Sequence, residues 1–162
     1  MDDFNLFDGT AATGTWESTF AALDALIQQE VGAIICSCST FDPVAKMARR
    51  IYTNQPAAYP LSGLKEVTPN RWTRQVLDQG QMFVANTLDE IAEVFPDYEL
   101  IGSLGCGSVV NLPIRLAGSF LGTVNMLHEP GYFTQKKIEK ISRFGGPAII
   151  AFCAYKQANT QL

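Results

Sequence analysis

The sequence predicts an α+β fold: an antiparallel sheet of five or six strands, with N- and C-terminal helices on one face and the middle segment, roughly Tyr52 to Leu104, over the other. Three observations carry this. Two apolar runs, Ser108–Leu116 and Phe120–Leu127, flank a short Ala117-Gly118-Ser119 turn and read as a β-hairpin. Both faces of that hairpin are mostly apolar, as in a sheet covered on both sides. Segments with helical apolar spacing lie at both ends of the chain, around Trp16 to Glu30 and beyond Thr134.

The elements follow in order. Residues 1–14 are polar and rich in Gly and Thr and are expected to form a flexible arm, with one domain over 15–160. Trp16 to Glu30 places Trp16, Phe20, Leu23, Leu26 and Ile27 at helical spacing, with Thr15 as N-cap and Gly32 just past the end. Ala33 to Phe41 is a strand that starts apolar and turns small and polar, and Asp42-Pro43 ends it. Lys46 to Asn54 reads as the second strand, although its spacing also permits a helix. Gln55 to Thr68 is a loop that dips inward through Tyr59 and Leu61.

Thr68-Pro69 supplies an N-cap and first position for a helix ending at Gly80, with Trp72, Val76 and Leu77 inward. Gln81 to Asn86 is a strand. Thr87-Leu88-Asp89-Glu90 fits a capping box opening a short helix that Pro96 stops. A further short helix spans Asp97 to Leu104. In the hairpin, a turn centred on Ala117-Gly118 sets Ile114 opposite Leu121, Leu112 opposite Thr123 and Val110 opposite Asn125. Ser108, Val110, Leu112, Thr123 and Asn125 then share one face, and Val109, Asn111, Val124 and Met126 the other. A buried Asn there needs a partner, because an unpaired amide costs ~1–3 kcal/mol. Thr134 opens the last helix, with Ile138, Ile141 and Phe144 on one face. Gly145-Gly146-Pro147 must kink or break it before Ala148 to Ala158 continues.

Totals exclude several classes. A chain of 162 residues is sized for one domain that buries about two-thirds of its unfolded surface. A net charge of −4 provides no basic footprint for nucleic acid. No apolar run approaches the ~18 residues of a membrane span, and Met1-Asp2-Asp3-Phe4 lacks a basic leader, so a cytoplasmic protein away from membranes is expected. Cysteines 36, 38, 106 and 153 form no disulfide framework, and with a single His no metal set appears at recognised spacing. With no room for a second catalytic or DNA-binding domain, any output is expected to run through an unidentified downstream protein.

Small-Val-Val-Asn-Leu-Pro-Ile over residues 108–114, a Gly turn, Leu-Gly-Thr-Val-Asn-Met-Leu over 121–127, then Tyr132-Phe133-Thr134 opening a helix resembles the closing half of a GAF domain. The element order extends the resemblance over nearly the whole chain. It implies a GAF/PAS-like layout in which first and last helices pack together and the middle segment roofs a small-molecule pocket. By the resemblance, Ser37 on the first strand, Tyr52 at the end of the second and Asn125 on the last point into that pocket. Tyr59 and Thr123 join them, and Trp72, Thr73, Tyr98, Cys106 and Ser108 line the roof and rim.

The cyclic-nucleotide signature of the family is absent: His128-Glu129 stands where Asn-Lys is expected, and Gln135, Lys136 and Lys137 where Phe-Asp-Glu is expected. A pocket of Asn, Ser and Thr suits a neutral or weakly polar ligand, and the sequence names no cofactor. Two alternatives remain open. Cys106 between two glycines admits a thiol-dependent reductase resembling the free methionine sulfoxide reductases, though their Ile-Ala-Cys-Asp stretch is missing and a resolving cysteine is not apparent. Gly107 beside it argues against bilin attachment, and His128 reads as a turn residue rather than a haem ligand. The other alternative is a structural dimerisation module with no ligand. In either case Trp16, Phe20, Ile141, Ile149 and Phe152 make the terminal helices apolar enough to predict a homodimer through them.

Overall fold

The computed structural model describes residues 2–160. Its centre is a six-stranded, fully antiparallel sheet in the order β3-β2-β1-β6-β5-β4. The strands are β1 (Ile35–Asp42), β2 (Met47–Thr53), β3 (Lys65–Glu66), β4 (Phe83–Ala85), β5 (Ser108–Leu116) and β6 (Ser119–His128). Helices α1 (Asp3–Thr13), α2 (Trp16–Glu30), α5 (Gln135–Ile141) and α6 (Gly145–Asn159) belong to one face. On the other lie a π-helical segment (Thr73–Asp78) and the short helices α3 (Leu88–Ala92) and α4 (Tyr98–Ser103).

Each face has its own apolar core. The helix-side core joins Phe20, Leu23 and Ile27 of α2 and Phe152 of α6 to Cys36, Cys38, Val110, Leu112, Val124 and Met126 of the sheet. The opposite core joins Ile35, Phe83, Val109 and Leu127 to Val76, Ile91, Ile101 and Cys106 of the roof. The predicted α+β fold, with its two covered faces, is the observed one.

Four local readings change. The predicted arm over 1–14, whose first residue lies outside the described residues, contains α1. Asp2 caps it by accepting from the Asn5 N–H at 2.8 Å, and Phe4, Phe7 and Ala11 at helical spacing pack on the helix-side core. The helix expected to open at Thr68-Pro69 starts after Asn70 instead. Asn70 Oδ1 accepts from the Thr73 N–H, and Thr73 Oγ1 accepts from the Asn70 N–H. Leu61 does not dip inward but is 57% exposed, whereas Tyr59 is buried. The predicted break at Gly145-Gly146-Pro147 falls one step earlier, at the 3₁₀ turn Ser142–Phe144. Pro147 then sits in the first turn of α6, where an N–H has no intrahelical partner to lose.

Two β-bulges reset the sheet. At the hairpin tip Leu116 pairs with Ser119 and Arg115 with Phe120, as counting back from the Ala117-Gly118 turn predicts. The register then slips by one, so Ile114 pairs with Gly122, Pro113 with Thr123 and Asn111 with Asn125. A second slip between Cys38 and Ser39 pairs Cys38 with Tyr52 but Ser39 with Arg50. Because side chains alternate with a period of two, each slip moves the following residues to the other face.

Candidate ligand site

Between the second face of the sheet and its roof lies a cavity of about 310 Å³. Its floor is strand residues: Ser39 of β1, Ala48 and Arg50 of β2, Val109 and Asn111 of β5, and Thr123, Asn125 and Leu127 of β6. Its roof is Tyr59, the segment Lys65–Thr68, Asn70, Trp72 and Thr73, and Val94 to Asp97 with Ile101.

A directional chain of hydrogen bonds crosses the floor. Trp72 Nε1 donates to Asn111 Oδ1 at 2.9 Å, and Asn111 Nδ2 donates to Asn125 Oδ1 at 2.7 Å. Asn125 Nδ2 then reaches the hydroxyls of Ser37 at 3.3 Å and Ser39 at 3.4 Å. The pairing Asn111↔Asn125 and Ser37↔Asn125 across β5, β6 and β1 makes this possible, since all of these side chains leave the same side of neighbouring strands. The network satisfies the amide that the sequence flagged as needing a partner, and it anchors the roof to the floor through Trp72.

The roof is tied to itself as well. Asn70 Nδ2 donates to the Val94 carbonyl at 3.0 Å, linking the start of the π-helical segment to the stretch after α3. Trp72 meets Phe95 edge to face with centroids 5.8 Å apart, and Phe95 meets Phe83 at 6.3 Å. The Tyr59 hydroxyl donates to Asp97 Oδ2 at 3.4 Å. Burial and the Asp97 carboxylate push the Tyr59 phenol up to about 12, against a smaller opposing pull from Arg50. π-helical turns are rare and recur at functional sites, and this one begins directly after Trp72.

Of the sequence-predicted site residues, Tyr59, Trp72, Thr73, Thr123 and Asn125 line the cavity. Ser37 stands behind it, buried, as the last acceptor of the amide chain. Four are elsewhere. Tyr52 belongs to the opposite face: it stacks on Phe20 at 6.1 Å and its hydroxyl donates to Asp24 Oδ2 of α2 at 2.6 Å, because the bulge at Ile51 in β2 turns it away. Tyr98 packs on the outer side of the roof core, with its hydroxyl toward Glu99 Oε1 at 3.3 Å. Cys106 is buried in the roof core, and burial raises its thiol to about 11. Ser108 is fully buried and donates to the carbonyls of His128 and Glu129, closing the end of the hairpin.

Asn111, Ser39 and Arg50 are among the cavity residues that the sequence reading does not single out. Counting from the turn sets Asn111 on the face away from Asn125, and the bulge at Ile51 gives Arg50 and Tyr52 opposite faces. No Cys or His lines the cavity, and among the described residues no group of three or more His, Cys, Asp or Glu could hold a metal ion. The lining offers amides, hydroxyls, aromatic rings and a guanidinium, which is equipment for holding a molecule by shape and hydrogen bonds. Cys36 and Cys38 sit on the helix side as buried thiols raised by burial, Cys38 adding to the rise at Cys36. No helix among the described residues is long and apolar enough to cross a membrane.

No protein-family profile matches the chain, and no curated protein matches it. Solved structures do match over nearly its whole length. It is similar to the GAF domain from a phosphoenolpyruvate-protein phosphotransferase of Coxiella burnetii, with a TM-score of 0.71 and 14% identity over 96% of this chain and 93% of that one. The GAF domain/HD domain protein from Geobacter sulfurreducens gives a TM-score of 0.70 and 11% identity over 93% of this chain and 99% of that one. The free methionine-R-sulfoxide reductase from Neisseria meningitidis gives 0.64 and 15%, over 94% and 87% respectively. At such identities the likeness concerns the fold, and it extends across both faces of the sheet and the roof. In its fold this chain is a GAF-like domain.

Proposed function

We propose that this chain is a cytoplasmic sensory domain that binds a small molecule in the roofed cavity and signals through a partner protein. The observation that carries the reading is the amide chain from Trp72 through Asn111 to Asn125, built into the floor of a cavity of about 310 Å³. That volume is at the lower end of small-molecule sites, which run from roughly 300 to 1,000 Å³. A ligand bridging Trp72 in the roof and Asn125 in the floor would bias the roof, which is built of short helical segments joined by loops. The apolar ends of the chain supply the output surface in this reading: Leu6 of α1 is 59% exposed and Ile150 of α6 is 44% exposed, and we propose a homodimer through these helices.

Native mass spectrometry of freshly purified protein, followed by thermal shifts with nucleotides, amino acids, aromatics and haem, tests the proposal. A co-purifying mass, or a saturable shift approaching the ~2.7 kcal/mol that a hundredfold excess over Kd gives, supports it. Bare protein with no shift across the panel would sink it in favour of a structural dimerisation module.

A further inference from the structure

We infer that the cavity takes a carboxylate, and that Arg50 is the residue that selects it. The inference rests on the cavity being a ligand site, and it replaces the neutral ligand expected from Asn, Ser and Thr alone.

Arg50 pairs with Ser39 at the bulge in β2, where Ile51 is the extra residue, and lines the cavity. Its guanidinium carbon lies over the Tyr59 ring, 3.6 Å from the centroid. This stacking and a bond from Nη1 to the Pro60 carbonyl at 2.7 Å fix the plane of the group. Nη1 is therefore occupied, but Nε is buried with no hydrogen-bond partner. Among the described residues the one ion pair is between Arg71 and Glu93, so none of their carboxylates lies within ion-pair distance of Arg50. A buried donor on a held cation, in the wall of a cavity, is an arrangement that a ligand completes.

The chemistry of the ligand follows from the donors that the chain leaves without a partner. Nε and Nη2 form one side of the guanidinium fork, and two parallel N–H donors match the two oxygens of a carboxylate. A dianionic phosphate fits less well. Asp97 and Glu66 also line the cavity, and Lys65 is the single further cation there. The aromatic walls, Tyr59, Trp72 and Phe95, favour a planar body attached to that carboxylate.

Matched probes test this: benzoate against benzamide, indole-3-acetate against indole-3-acetamide, and phenyl phosphate. Affinities come from thermal shift and from NMR of the arginine Nε–H resonances. The expected result is that each carboxylate binds at least tenfold tighter than its amide and shifts one Nε–H signal. Arg50→Gln should erase that preference, bringing each acid to the affinity of its amide, and Arg50→Lys, which keeps the charge but not the fork, should recover only part of it. Amides binding as tightly as acids, an acid preference that survives Arg50→Gln, or phenyl phosphate binding tighter than benzoate would overturn the carboxylate assignment while leaving a ligand site. Binding by no probe at all would overturn the carboxylate assignment, whereas the ligand site itself would fall only with the wider panel and the native mass.

Discussion

Asn111 and Asn125 face each other directly across β5 and β6, and the 2.7 Å bond between their amides is the joint between the roof and the rest of the sheet. Asn111 is 3% exposed, so its carbonyl, which accepts from Trp72, has little water to fall back on. Asn111→Ala strands both the Trp72 indole N–H and the Asn125 carbonyl. At ~1–3 kcal/mol for each of the two groups left unpaired, a loss of about 2–6 kcal/mol is expected in urea unfolding. Trp72→Phe removes one bond and should cost less. A loss under 1 kcal/mol for Asn111→Ala would show that the amide chain is not a structural joint.

Tyr52 separates the two faces of the sheet functionally. Its hydroxyl donates to the buried Asp24 carboxylate at 2.6 Å, and its phenol is raised by burial and by that bond. Tyr52→Phe is expected to cost ~1.5–3 kcal/mol, the range for hydrogen bonds to charged groups. Ligand affinity in the cavity should not change. Equilibrium unfolding and calorimetric titration of the same variant check both halves. A selective loss of affinity would return Tyr52 to the site.

Cys106 is the test of chemistry. A thiol pushed up to about 11 by burial holds almost no thiolate near neutral pH, and thiolate is the nucleophile. Iodoacetamide at pH 7.5 should therefore modify the half-buried Cys153 of α6 first, with Cys36, Cys38 and Cys106 following only on unfolding. Peptide mass spectrometry over time reads the order. Rapid labelling of Cys106, or reductase turnover abolished by Cys106→Ser in a folded protein, would establish the enzyme.

The sequence displayed the fold well because the fold is written in periodicity: the helical spacing of Phe20, Leu23 and Ile27, and the paired apolar runs around Ala117-Gly118, each specify an element and its buried side. The site was legible only in part. Trp72, Thr73, Thr123 and Asn125 were found because they belong to segments whose inward direction is robust. Asn111 and Tyr52 lie on other faces than the sequence reading gives them, because a single extra residue, Leu121 in β6 or Ile51 in β2, inverts the strand beyond it. Neither is a glycine or a proline, and nothing else about them announces a bulge. The helix α1 was missed for another reason: Gly9 and Gly14 dominate the composition of a segment whose packing residues are only Phe4, Phe7 and Ala11.

Gly122 is fixed by contact rather than by conformation. A Cβ there would lie 2.3 Å from the Ser39 carbonyl oxygen and 2.4 Å from the Phe152 ring. The ring belongs to α6, so this glycine sets how closely the last helix approaches the sheet. Gly122→Ala is expected to cost about 3 kcal/mol, the upper part of the range for overpacked cores. Adding Phe152→Leu should not restore it, because the backbone oxygen of Ser39 remains in the way. Denaturant midpoints of the single and double variants decide between this and a soft contact.

His128 makes stability depend on pH in a direction that can be worked out. Its ring stacks on Tyr132 with centroids 3.4 Å apart, and Nδ1 accepts from the Glu129 N–H at 2.8 Å, a bond that only the unprotonated nitrogen can make. Burial lowers its pKa below the ordinary value, Glu129 pulls the other way, and Lys137 adds to the lowering. The folded pKa is thus below the unfolded value of about 6.5. His128 then contributes stability that is fully present above about pH 6.5 and is lost as pH falls through the folded value, because the unfolded chain binds the proton first. Since this is the only histidine of the chain, its imidazole titration in NMR is unambiguous. It should give a midpoint below 6.5, and His128→Gln should flatten the stability profile between pH 7 and that midpoint. A midpoint above 6.5 would mean that Glu129 outweighs burial, and the stability would then rise on acidification instead.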